Sequence, residues 1–330
     1  RVNSTVSGAT CPDDALVDVG TWGGELDFSE QIGPVRNNLM DARDQLDISV
    51  AETLARMYIY FGFGAEAMDV LRLDPKLVES QPQLADIATI LEHGYIGYHN
   101  SLSDYTDCAS DVALWAILSF RNVPPSLQLE TKAALRALNK LPIHLRSVVA
   151  PGLSDRLLQS GDRESASAAL RTIERLPDAL APSAQLAQAD LAVGSGSSAD
   201  RLLQNIIDAN NSASPEALVR LVQGKLEKDQ ALSDDTATLV EAYAQELRST
   251  ELGHQLLQTQ VIALSQSEQF DKAFEALSRI ELLISPVESL KLHQAVFEGL
   301  VQKAPDILFL SHMFEKDQSI IASLPTPTKI

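Results

Sequence analysis

The stretch LSDRLLQSGDRESASAAL, residues 153–170, contains a pattern that returns along the chain. A helix carrying Leu153 and the small Ser154 runs to Gly161, which leads a tight turn. A second helix then packs Ala166 and Leu170 back on the first. The same triplet stands at Gly62, Ala67 and Leu71 and again at Gly194, Ala199 and Leu203, with a degenerate copy at Glu268, Ala273 and Leu277. Gly161 and Gly194 are 33 residues apart, and Gly62 and Gly161 are 99 apart, which is three such periods. A hairpin recurring at that period cannot shield its apolar flank alone and stacks on its neighbours, so the expectation is a helical solenoid.

Working outward, residues 1–27 are rich in Gly, Ser and Asp and read as an irregular arm. Helical spacing begins beyond Phe28. Val50, Leu54, Met57, Tyr58 and Phe61 share one face, Gly62 stops that helix, and its return partner is expected to end before Pro75. Asp107 is expected to cap the apolar segment around Trp115, and Pro151 to kink or split the helix over 143–159. No strand alternation of useful length occurs, so the fold class is all-α. The expected layout is an arm over 1–27, N-terminal helical repeats over 28–125, a main repeat array over 126–323 and a disordered tail over 324–330.

The pattern resembles the tetratricopeptide-repeat superfamily, in which a small residue precedes the loop glycine and lets the paired helices approach closely. Ala55, Ser154 and Ala187 stand at that place here; Val261 departs from it in the degenerate copy. The resemblance implies a right-handed α-α superhelix, a TPR-like solenoid, whose first helices present ligand contacts on the concave face. Carried over by offset from the turn glycines, those contacts are Glu52, Arg56 and Tyr60 in one unit, Asp155 and Gln159 in the next, and Gln188 in the third. The basic clamp that some relatives use for a peptide carboxylate is largely missing, with Arg56 alone in its place.

A formal net charge of −19 argues against nucleic acid or anionic lipid as a partner and leaves cationic peptides open. No apolar run reaches membrane-spanning length. Cys11 and Cys108 are the only cysteines. They read either as inert buried thiols or, favoured by sparing use and an even count, as one disulfide of an exported protein. A chain starting at Arg1 is expected to have lost a signal peptide, which places it in the periplasm or outside the cell; the alternative is the cytoplasm.

Chemistry is hard to find. The six histidines form no HExxH, and only His93 and His99 are close in sequence. Asp104, Asp107 and Asp111 surround Cys108 but lack the glycine and terminal glutamate of a calcium loop. Gly194 to Ser198 has neither the following lysine nor the preceding strand of a phosphate loop. The expectation is therefore no cofactor, no metal and no catalysis: a protein- or peptide-binding scaffold of the cell envelope. Homo-oligomerisation through Ile307, Leu308, Phe309 and Leu310 remains open. The alternative is the helical domain of a glycan-processing enzyme of the envelope.

Overall fold

The computed structural model describes residues 4–97, 100–174, 181–193, 198–228, 230 and 232–303. His99, Gly194, the tail over 324–330 and the apolar run from Ile307 to Leu310 lie outside the described residues. Helices account for all the regular structure described; two isolated antiparallel bridges, Ser4 with Thr10 and Met40 with Leu46, form no strand. The chain divides into two compact units, Arg1–Val193 and Gly194–Ile330.

The first unit holds α1 (Phe28–Asn37), α2 (Ile48–Tyr60), α3 (Gly64–Leu71), α4 (Pro75–Ser80), α5 (Pro82–His93), α6 (Val112–Ser119), α7 (Thr131–Lys140), α8 (Ile143–Gln159), α9 (Arg163–Arg171) and α10 (Pro182–Ala192). All eight residues of α6 are buried, and Trp115 on it is the largest fully buried side chain. An eight-residue helix that is apolar all round has no solvent face to offer, so it sits inside the unit. Around it α6 packs on α7 and α8, α8 packs on α9 and α10, and α7 meets α9. Pro151 lies within α8 without ending it, because burial of Leu145, Val149, Leu153 and Leu157 along the same helix holds both halves in place.

The helix α3 ends before Pro75, and Pro75 starts α4. Asp74 caps that helix by accepting from the Lys76 N–H at 2.9 Å, and Pro75 fills the first helical position, where no N–H is required.

The second unit holds α11 (Ser198–Asp208), α12 (Ser214–Glu227), α13 (Asp234–Glu246), α14 (Glu251–Gln266), α15 (Phe270–Ile280) and α16 (Pro286–Lys303). Here α12 packs on α11 and α14, and α14 packs on α13, α15 and α16. A core of Val261, Phe270, Phe274, Leu277, Val296 and Leu300 joins the last three. Ser285 and Glu288 form a reciprocal capping box at the start of α16, the N–H of each meeting the other's side chain. Hydrogen bonds from the Ser285 hydroxyl and N–H hold the Glu288 carboxyl below its ordinary range.

The recurring turn has one geometry at every described copy. Gly62 and Gly161 take left-handed backbones, with φ of +83° and +86°, and Glu268 does the same at +60°. Each left-handed residue donates its N–H three residues back, to Ile59, Leu158 or Ser265. The next residue donates five back, to Tyr58, Leu157 or Leu264, at 2.9 Å in all three cases. This is the Schellman pattern, which satisfies the last carbonyls of the first helix. Ala67, Ala166 and Ala273 are fully buried behind the turn, and Leu71, Leu170 and Leu277 almost so. Ala199 and Leu203 are buried in the same manner on α11.

Candidate functional site

Glu52, Arg56 and Tyr60 share one face of α2 at helical spacing, and the structure places the N-terminal arm against Arg56 and Tyr60. Arg56 pairs with Glu52 at 2.7 Å and lies over the Trp22 ring, 5.5 Å from its centroid. The Tyr60 hydroxyl donates to the Gly24 carbonyl at 3.3 Å. Gly23 lies so close to the Tyr60 ring that a Cβ there would collide with it. From α8, His144 Nε2 donates to the Tyr60 carbonyl at 2.7 Å, and its ring stacks on Phe61.

The arm is anchored further back. Cys11 and Cys108 form a disulfide, with Cα atoms 6.0 Å apart. Val17 and Val19 are buried in the unit's core. Trp115 Nε1 donates to the Val17 carbonyl at 3.2 Å, and the Asp111 N–H donates to Asp14 at 2.8 Å. Asp107 does not cap α6: its carboxylate accepts from the Val6 N–H at 2.6 Å, so it serves the arm instead. Lys140 reaches Asp111 at 2.5 Å, and that hydrogen bond raises the lysine above its ordinary pKa. Of the carboxylates around Cys108, Asp107 thus fastens the arm and Asp111 holds Lys140. Among the described residues no three His, Cys, Asp or Glu side chains gather as a metal site.

Asp155 and Gln159 form a second group, near the far end of α8, about 16 Å along the helix from His144. Gln159 accepts from the Val123 N–H at 2.9 Å and donates to Asp155 at 3.0 Å. Between them in sequence Arg156, 8% exposed, donates to the carbonyls of Phe120 and Gly94 and pairs with Asp155 at 2.6 Å. The composition of α8 gives no sign that Arg156 is buried; the signal lies in two helix ends, Gly94 and Phe120, whose carbonyls need a donor. Gln188 is half-buried on α10.

A groove that sequence reasoning missed lies in the second unit. Its volume is about 410 Å³, and α12, α14 and α16 line it. Val219, Leu226, Ile262 and Leu292 supply apolar surface, Gln223, Gln255 and Gln258 supply amides, and Glu216 pairs with Arg220 at 2.8 Å on one wall. These residues recur three, four and seven apart on α12 and α14, a face signature that is visible in the sequence only once the two helices are known to be neighbours.

One arrangement has the ingredients of nucleophilic chemistry. His293 Nε2 meets Glu281 at 2.9 Å, and its Nδ1 faces Ser289. The hydroxyl is 3.5 Å away while the Ser289 carbonyl is at 3.0 Å, so Nδ1 is bonded to the main chain and the hydroxyl is not activated.

Among the described residues no helix is long and apolar enough to cross a membrane. No protein-family model matches the chain, and neither a curated protein nor a solved structure shows significant similarity to it.

Proposed function

We propose that this chain is a non-enzymatic, protein- or peptide-binding scaffold of an oxidising compartment such as the periplasm, built as a right-handed TPR-like α-solenoid. The reading rests on one observation above all: a single hairpin turn, with the same two hydrogen bonds, at residues 62, 161 and 268. Alternate helices pack on each other within each unit, α8 on α6 and α10, α14 on α12 and α16. That is the contact pattern expected where hairpins stack side by side. The groove along α12, α14 and α16 is of ligand-site size and offers donors, acceptors and apolar floor together. The disulfide favours an oxidising compartment.

The test is affinity capture from a native envelope fraction, repeated with two charge-placing variants. Gln255→Arg on exposed groove wall is expected to lower capture about tenfold. Arg56→Glu reports on the α2 surface of the first unit. Capture that neither variant changes, or turnover of a glycan by the purified chain, removes the reading.

A further inference from the structure

The arm is held by fastenings of two kinds, and their order along the chain matters. Cys11 ties it covalently to the loop before α6, and Val17 and Val19 sit in the core. Residues 20–27 then cross to the start of α1, touching Arg56 through Trp22 and Tyr60 through Gly24. This last stretch is largely exposed, and Gln31 holds it from α1 by donating to the carbonyls of Gly24 and Leu26. We propose that the Cys11–Cys108 bond is a redox latch on this strap: intact, it keeps residues 20–27 across Arg56 and Tyr60; reduced, it lets the arm lift and uncovers that face of α2.

The chain-entropy argument gives the size of the effect. With the bond intact, residues 12–27 form a closed segment fixed at Cys11 and at α1, so detaching it gains little freedom. With the bond cut, an arm whose Val17 and Val19 have left the core is tethered at one end only. For a loop of that length the difference amounts to about a hundredfold in the opening equilibrium.

The chemistry requires a dithiol reductant. Cys108 is fully buried and Cys11 is half-buried, so the incoming thiolate reaches Cys11 Sγ. The S–S bond breaks, Cys108 departs as a thiolate and takes a proton, and the reductant's second thiol resolves the mixed disulfide at Cys11. Two electrons pass to the protein, which ends with two thiols, and the reductant ends as its own disulfide.

That opening serves partner binding rests on the α2 face being a partner surface; the opening itself does not. Amide hydrogen exchange on the full chain tests it, comparing oxidised protein, protein reduced natively with dithiothreitol, and the Cys11→Ser variant. The Thr21 and Trp22 amides, bonded to Asp18 and Val19 at 3.1 Å, are expected to exchange about a hundredfold faster once the bond is gone. Amides of α6 and α8 are expected to keep their protection. Equal protection of Thr21 and Trp22 in both redox states overturns the latch. So does acceleration of α6 and α8 in step with the arm, which makes the bond a staple of the whole unit. Capture sensitive to Arg56→Glu reports separately on the face, so unchanged arm exchange with Arg56-dependent capture sinks the latch and leaves the scaffold.

Discussion

The turn at Gly161 and the turn at Glu268 make the same pair of hydrogen bonds, yet only one has the residue that the conformation favours. A left-handed glutamate is strained by about 1–2 kcal/mol relative to glycine. The hairpin of α14 and α15 keeps the shape because Phe270, Ala273, Phe274 and Leu277 are buried behind it. Core packing therefore fixes the turn, and glycine removes the strain of making it.

The comparison can be broken most forcefully at the disulfide, which the first unit has and the described part of the second lacks. Replacing both cysteines with serine is expected to lower the protection of the arm in the first unit about a hundredfold, with α6, α8 and the second unit unchanged, as read by hydrogen exchange in each. A loss shared equally by both units contradicts that division.

Leu170→Ala and Leu277→Ala occupy equivalent places in the two hairpins. Each is expected to cost about 2–5 kcal/mol, measured as a shift in denaturant midpoint. Values differing by more than this range show that the two copies are alike in backbone only.

The turn residues give a smaller and opposite pair of effects. Gly161→Ala, where a Cβ meets open space, is expected to destabilise by about 1–2 kcal/mol through backbone strain alone. Glu268→Gly is expected to stabilise by up to about 1 kcal/mol, raising the melting temperature of the second unit. If Glu268→Gly lowers it, the glutamate contributes something beyond strain.

The finest distinction is a cap. Asp162 follows Gly161 and caps α9 by accepting from the Ser165 N–H at 3.0 Å; Phe63 and Gln269 hold the same place elsewhere and do not cap. Burial pushes the Asp162 carboxyl up, but hydrogen bonds from Ser165 and Thr131 outweigh it and leave the pKa lowered. Its contribution is therefore complete above the unfolded value of about 3.9 and fades as pH falls through the lower folded value. Asp162→Ala is expected to cost about 0.5–2 kcal/mol at neutral pH and progressively less below pH about 4. A cost independent of pH refutes the assignment.

Much of this architecture is legible in residue types. Glycine before a small residue and a leucine announces the Schellman turn, since no other residue takes that backbone without strain. The Cys11–Cys108 pairing was the favoured of two readings and is formed. What stayed hidden depends on contacts across long separations. Nothing in the composition of residues 12–27 says that Val17 and Val19 enter the core, because two valines among Gly and Asp make no periodic pattern. The same holds for Gln159 and Arg156, polar residues on an otherwise ordinary helix whose partners lie 36 to 62 residues upstream. The groove of the second unit was hidden for a related reason: its two walls are about 30 residues apart in sequence.

Arg156 also sets an order of events in time. The carbonyls of Gly94 and Phe120 stand at the ends of α5 and α6, and a single guanidinium from α8 serves both. A chain emerging from its N-terminus completes those two helices well before residue 156 exists. Until then, those two carbonyls lack their guanidinium donor, and the first unit reaches its finished packing only after α8 has been synthesised and docked.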